Sequence, residues 1–167
     1  ASEKLADLFG EPEVLKGYGR RNTTTMAIAP TTSSAAILGQ VSQSIEPWMS
    51  NNFIKNLAKM KVEIRNKYLE ELLESYGQNT EETWESIAKN DGSVSHLGFL
   101  SEYERDVFKT FREIDPYAII DQAADRQQYL DQTQSLNLMI DSSFTPKELN
   151  QLMIYAWRQG ICTLYYQ

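Results

Sequence analysis

A cluster of hydroxyl side chains is the part of this sequence best suited to chemistry. It follows a short apolar run, Met26–Ala29, and consists of Thr31, Thr32, Ser33 and Ser34, with Pro30 before them and Ala35 after them. The apolar run is bounded by turn-forming residues, which is typical of a fully buried strand. The residues after the cluster indicate a short helix that ends near Gly39. Because the start of a helix presents unpaired N–H groups and the positive end of the peptide dipoles, this loop is suited to binding a phosphate.

The same residues also have an ordinary structural interpretation. Thr32 or Ser33 can cap the helix by accepting a backbone hydrogen bond, while the other hydroxyls are simply hydrated. The sequence contains neither a Walker A pattern nor a G-x-G-x-x-G pattern, so it does not indicate a nucleoside-triphosphate loop. These residues alone do not decide between a phosphate-binding loop and a simple helix cap.

Few other side chains offer catalytic chemistry. The single histidine, His96, lies in a turn-like segment, where we expect a surface or capping role. The single cysteine, Cys162, excludes an internal disulfide and a cysteine-based zinc site, and its pattern predicts a small buried core residue. Tyr165 and Tyr166 end a β-rich run, and in a regular strand they would face opposite sides of a sheet.

The elements that must position these residues fall into three stretches of one partial domain, 1–167. Residues 1–47 contain a short helix at about Glu3–Phe9, the Met26–Ala29 strand, the hydroxyl loop and a short helix. Residues 48–113 are predicted to be helical, because apolar residues recur at steps of three and four from Asn52 to Tyr76. Further helix starts are indicated by Thr80, and by a capping box of Ser101 and Glu104 that opens a helix through Phe111.

Residues 114–167 alternate between helix and strand. A helix is predicted from Pro116 to about Gln132, and a second from Thr145 to Gly160. Ser135–Ile140 and Ile161–Tyr166 are predicted as parallel strands of one βαβ unit around the second helix. Two or three strands neither close a barrel nor fill a doubly wound sheet, so the pattern indicates part of a larger α/β assembly, with sheet edges through which the chain can self-associate. A complete α+β domain with a small sheet is the alternative.

Composition excludes several classes of function. The 167 residues carry 16 Lys and Arg against 23 Asp and Glu, for a formal net charge of −7. This acidic balance argues against nonspecific nucleic-acid binding, which needs a basic surface. No apolar run approaches the roughly 18 residues that a membrane span needs. We therefore expect a cytoplasmic protein with neither nucleic acid nor membrane as a partner.

Several separated segments give the chain a recognisable pattern. They are Arg21–Gly39, Ser44–Pro47, Ala124–Gln127, Tyr129–Asn137 and Thr163–Gln167. In these segments the chain resembles the large, catalytic (alpha) subunit of class I ribonucleotide reductase, in the C-terminal part of the barrel domain. The segments occur in the family's order and at its approximate spacing.

The resemblance implies a fold and a role for the hydroxyl loop. The family folds as a ten-stranded α/β barrel, of which this chain supplies the last strands and helices. It reduces ribonucleotides, usually diphosphates, to deoxyribonucleotides by radical chemistry. The resemblance assigns the substrate's phosphates to Thr31, Thr32, Ser33, Ser34 and Ala35.

The resemblance also implies a radical relay, partners and a limit on activity. Tyr165 and Tyr166 match the tyrosine pair that relays a radical equivalent towards an active-site thiol. The partners are a nucleoside diphosphate, the remaining part of the large subunit, and a small subunit whose metal cofactor generates the radical; no cofactor or metal site is expected in this chain. The family's thiol chemistry needs several cysteines, so we expect the chain to be inactive alone. Two alternatives are a stand-alone phosphate- or nucleotide-binding domain and a helical interaction domain.

Overall fold

The computed structural model of the chain describes residues 1–39, 41–56 and 61–164. Short 3₁₀ turns lie at Glu13–Leu15 and Phe111–Glu113. The helices and strands are α1 (Ser2–Phe9), α2 (Thr32–Leu38), β1 (Asn52–Asn56), β2 (Lys61–Arg65), α3 (Lys67–Ser75), α4 (Glu81–Lys89), α5 (Glu102–Val107), α6 (Pro116–Gln127) and α7 (Pro146–Arg158). Across the described ranges, no helix has the length and apolar character needed to span a bilayer.

The first part of the predicted Asn52–Tyr76 helix is wrong. Strands β1 and β2 form an antiparallel pair in which Phe53 lies opposite Ile64, and among the described residues of this span only those after Asn66 are helical. In β2, valine and isoleucine alternate with charged residues, which is a strand period of two. Apolar spacings of three and four across β1 and α3 concealed that alternation. The result is a helix-rich α/β fold whose two-stranded sheet comes from residues assigned to a helix by their pattern.

Four predicted helix starts are confirmed. The Thr80 side chain caps α4, and the Asp115 side chain caps α6, which carries proline at its first turn. The capping box of Ser101 and Glu104 opens α5, and an equivalent box at Thr145 opens α7. Two ends differ from expectation, because α5 stops at Val107 rather than reaching Phe111, and α6 stops at Gln127 rather than Gln132.

The predicted parallel strands are not regular strands where the structure describes them. Met26–Ala29 makes a single parallel bridge, from Ile28 to Gln134. The backbone N–H groups of Thr25 and Met26 donate instead to the Asp131 carboxylate, at 2.7 and 2.8 Å. Because a side chain takes these donors, no ladder continues, and Met26 is 55% exposed rather than buried. The segments 135–140 and 161–164 are likewise without regular strand.

Two clusters of buried side chains hold the fold. The first packs α6 and α7 against the extended residues 136–138, with Leu138 and Leu152 fully buried. The second packs α3 and α4 against residues 94–100, around Trp84. The buried side chain of Asn51 donates to the carbonyl oxygens of Gly92 and Phe108, at 2.9 and 2.7 Å. The hairpin is therefore tied to the helices by hydrogen bonds as well as by packing.

Candidate functional site

The hydroxyl loop begins with a residue in an uncommon backbone conformation. Thr31 has φ 50° and ψ 26°, which is the left-handed region. For a β-branched residue this conformation costs about 1–2 kcal/mol. The Thr31 carbonyl accepts the first helical hydrogen bond, from the N–H of Ala35 at 2.9 Å. Its hydroxyl oxygen accepts a bond from the N–H of Ser44 at 2.8 Å, so contacts outside the loop hold this turn.

The next three residues present their donors to solvent. Thr32, Ser33 and Ser34 form the first turn of α2 and are exposed. N–H groups in a first helical turn have no acceptor within the helix. Within the described part of the chain, neither these amides nor the three hydroxyls have another hydrogen-bond partner. The predicted capping by Thr32 or Ser33 is wrong, because Thr31 occupies the cap position and its side chain does not cap the helix.

An apolar cleft opens beside the loop. Its volume is about 440 Å³, and it lies between α2, residues 41–49 and the β1–β2 hairpin. Thr32 and Ala35 line the end next to the loop, while Trp48 and Phe53 form an aromatic wall with ring centroids 5.7 Å apart. The loop therefore offers hydrogen-bond donors at the edge of a hydrophobic depression, an arrangement common in ligand sites.

A buried polar contact adjoins the same cleft, because Glu46 is one of the residues that line it. Glu46 is 7% exposed, and its Oε1 accepts bonds from the backbone N–H and the side-chain Nδ2 of Asn137, at 3.1 and 2.7 Å. The hydroxyl of Ser44 donates to the Ser135 carbonyl oxygen at 3.4 Å. Sequence reasoning assigned no role to Glu46. One signal could have found it, because it is the single charged residue between Arg21 and Lys55.

Asp131 holds the chain leading into the loop. Its carboxylate accepts hydrogen bonds from the N–H of Met26, the N–H of Thr25 and the Thr25 hydroxyl. These bonds, the Met26 amide foremost, lower the pKa of Asp131 below its ordinary value. The carboxylate thus fixes the backbone five residues before Thr31.

The remaining sequence-predicted residues do not join the loop in the described structure. Tyr165 and Tyr166 lie outside the described residues, which end at Leu164. Ile161, four residues before Tyr165, is buried in the cluster formed by α6 and α7. Cys162 is exposed, so its prediction as a buried core residue is wrong. Among the described residues, no three His, Cys, Asp or Glu side chains are grouped to hold a metal ion.

Comparison with known protein families shows the family of the chain that carries this loop and cleft. The family model "Ribonucleotide reductase, barrel domain" matches residues 11–167. This chain belongs to that family. The "Ribonucleoside-diphosphate reductase large subunit" of Invertebrate iridescent virus 6 is 42% identical over 166 residues, which cover 97% of this chain and 17% of the relative. The corresponding putative large subunit of Frog virus 3 is 40% identical, covering 99% of this chain and 29% of that protein.

A solved ribonucleotide reductase shares both sequence and fold with the chain. The "Actinobacillus ureae class Id ribonucleotide reductase alpha subunit" is 50% identical, with a TM-score of 0.86, over 99% of this chain and 31% of that one. The chain therefore spans less than a third of the length of each of these three ribonucleotide reductase subunits. The similarity bears out the resemblance drawn from the hydroxyl loop and the segments around it.

Proposed function

We propose that this chain works as part of a ribonucleotide reductase large subunit, as a single partial domain of a ten-stranded α/β barrel. The observation that carries the proposal is the 50% identity and common fold with an alpha subunit over 99% of the chain. In this role the chain takes part in reducing ribonucleoside diphosphates to deoxyribonucleotides in the cytoplasm. The relatives named as ribonucleoside-diphosphate reductase large subunits support the substrate class.

The hydroxyl loop is the substrate phosphate-binding element in this proposal. Thr31, Thr32, Ser33, Ser34 and Ala35 form a turn in which three successive amides lack a partner among the described residues. A phosphate fits such a turn because its oxygens accept several N–H bonds and its charge is favoured by the helix dipole. The small side chains around it leave room for close approach.

Tyr165 and Tyr166 are the radical-relay residues in this proposal, on the strength of the family pattern. A phenol can pass on an electron and a proton together, so that no charge is left in a low-dielectric interior. The burial of Ile161 between α6 and α7 anchors the segment that leads to the pair.

The proposed partners follow from what the relay and the loop require. They are a nucleoside diphosphate, the remaining part of the large subunit, and a small subunit whose metal cofactor generates the radical. The chain itself supplies no metal cofactor. It is inactive alone in this proposal, because thiol-radical chemistry needs several cysteines and the sequence has only the exposed Cys162.

Reconstitution tests the proposed activity. Mixing the chain with a polypeptide that supplies the rest of a large subunit, and with the small subunit, should produce deoxynucleotide, whereas the chain alone should not. Tyr166→Phe should reduce turnover to background, because the ring is kept but the phenolic proton is lost. Tyr129→Phe is the matched control, since Tyr129 is 73% exposed and outside the relay.

The outcomes separate the competing functions. Full turnover in Tyr166→Phe would contradict the relay. ADP binding without recovered turnover would favour a stand-alone phosphate- or nucleotide-binding domain. Neither binding nor turnover would favour a helical interaction domain.

A charge substitution tests the phosphate loop. Ser33→Asp places a carboxylate in the first turn of α2, where it should stabilise the helix by about 0.3–1 kcal/mol. The same charge repels a bound phosphate, so we expect ADP affinity to fall by roughly tenfold or more. Calorimetric titration with ADP measures the affinity.

A second serine provides the control for this charge. Ser142→Asp adds the same charge at an exposed position outside the loop, and it should leave ADP affinity unchanged. Equal ADP affinity in Ser33→Asp and the unsubstituted chain would argue against phosphate binding at this loop.

A further inference from the structure

The buried Glu46 carboxylate lies between two segments that are far apart in the sequence. Its Oε1 takes both N–H donors of Asn137, a residue 91 positions away, and its Oε2 lies 3.4 Å from the Gln43 side-chain amide. Among the described residues, no lysine or arginine pairs with it. A carboxylate is costly to bury without a cation unless hydrogen bonds satisfy it, so these bonds must be maintained for Glu46 to stay buried.

The turn that carries Glu46 also contacts the start of the hydroxyl loop. Ser44, two residues earlier, has φ 53° and donates its N–H to the Thr31 hydroxyl at 2.8 Å. This bond therefore joins two left-handed residues that are not glycine. Backbone strain of this kind persists only where the surroundings hold it. The bond from the Ser44 hydroxyl to the Ser135 carbonyl oxygen provides a second connection to the Asn137 segment.

Asn137 shows the importance of its contact with Glu46. Its side-chain Oδ1 is buried and has no hydrogen-bond partner among the described residues. Buried polar atoms are rarely left in this state. The amide group is oriented so that its donor reaches the carboxylate, although its acceptor is then left unsatisfied. A hydrogen bond to a charged group is stronger than one between neutral groups. The bonds from Asn137 to the Glu46 carboxylate are therefore the strongest of those that join residues 43–46 to residues 135–137.

We propose that Glu46 is a positioning residue for the hydroxyl loop. Through Asn137 it fixes the turn at residues 43–46, and through Ser44 that turn holds Thr31 in the left-handed conformation from which α2 begins. The amides of Thr32, Ser33 and Ser34 are aimed by this arrangement. The inference rests on the proposed phosphate-binding function of the loop, but the conformational effect is measurable without any ligand.

The first measurement is made without ligand. By ¹H–¹⁵N NMR, Glu46→Gln should accelerate hydrogen exchange of the Ser44 amide roughly tenfold, the effect of weakening one charge-assisted bond. It should also move the Thr31 backbone chemical shifts away from left-handed values. Glu71→Gln removes an equal charge at an exposed position on α3 and should change neither quantity.

The second measurement is ADP affinity, which Glu46→Gln should lower by roughly tenfold through a displaced loop. Asn137→Asp should have a similar effect, because it sets two carboxylates against each other. Combining both substitutions exchanges donor and acceptor between the two side chains, and it should restore the Ser44 exchange rate and most of the affinity. A dispersed spectrum with unchanged exchange at Leu152 verifies that each variant is folded.

The possible failures are distinguishable. An unchanged Ser44 exchange rate and unchanged Thr31 shifts in Glu46→Gln would overturn the positioning role, whatever the ADP result. Altered conformation with unaltered ADP affinity would also overturn it. If ADP leaves residues 32–35 of the unsubstituted chain unperturbed, the phosphate-binding function fails, and with it the purpose assigned to Glu46.

Discussion

At the scale of single residues, left-handed backbone conformations occur where residues distant in the sequence contact each other. Thr31 and Ser44 are left-handed, and each contacts the other through a hydrogen bond. The types of residue in the hydroxyl loop could be recognised as donors from the sequence. Their arrangement could not, because a β-branched residue at φ 50° is stabilised by contacts from Ser44 rather than by its own preference.

The close contact between Gly92 and Ser50 leads to a prediction about stability. It has φ +82°, and a Cβ there would lie 1.9 Å from the Ser50 Oγ and 2.7 Å from the Ser50 Cα. Gly92→Ala should therefore destabilise the chain by about 3 kcal/mol, from overpacking added to left-handed strain. The free energy of unfolding in urea measures this loss.

Gly77 provides the matched control. It has φ +65° but open space around its Cα, so Gly77→Ala should cost only the conformational strain, about 1 kcal/mol. Equal losses at the two glycines would mean that the Ser50 contact is relieved at little cost.

At the scale of elements, the caps of α4, α5, α6 and α7 were predictable because their signals act within one turn. The capping boxes at Ser101 and Thr145 are both present as the sequence indicated. The β1–β2 hairpin was not predictable from apolar spacing, since residues three and four apart can belong to either a helix or two paired strands. Its stability depends on Phe53 facing Ile64 and on the anchorage of Asn51 among the helices.

The Asn66 cap should contribute more to the free energy of unfolding than an exposed helix cap does. Its side chain accepts the N–H of Tyr68 at the start of α3 and donates to the buried Asn51 Oδ1 at 2.9 Å. Asn66→Ala removes the cap and leaves a buried acceptor unpaired, so we expect a loss of about 3 kcal/mol. Thr145→Ala removes only an exposed cap of α7 and should cost about 1 kcal/mol.

Denaturant titration of both variants tests this difference. Asn66→Asp refines it, because the aspartate keeps the cap but cannot donate to Asn51. A loss in Asn66→Asp as small as in Thr145→Ala would show that the Asn51 contact contributes little.

At the scale of the whole molecule, acid should destabilise the chain through its capping carboxylates. Hydrogen bonds from the Ser101 hydroxyl and amide lower the pKa of Glu104, and the Thr145 amide and hydroxyl lower that of Glu148. A depressed folded-state pKa means that the stabilisation is complete above the ordinary value of 4.5 and is lost as the pH falls through the lower folded-state pKa. Stability should therefore decline below about pH 4.5.

A double variant isolates this effect from the general titration of an acidic chain. Glu104→Gln with Glu148→Gln should be less stable than the unsubstituted chain at neutral pH, and the difference should shrink as the pH falls. Unfolding in urea between about pH 7 and about pH 3 measures the difference. A difference that stays constant with pH would show that these carboxylates are not the acid-sensitive groups.

By itself, the sequence determined the family, the position of the hydroxyl loop, and the starts of α4, α5, α6 and α7. These depend on residue identities close together along the chain, because caps, prolines and turn formers act on their immediate neighbours. Only the tertiary structure decided that β1 pairs with β2, that Met26 and Cys162 are exposed, and that Glu46 is buried against Asn137. Those features depend on which distant groups supply hydrogen bonds and cover apolar surface, and local pattern carries no information about partners 91 positions away.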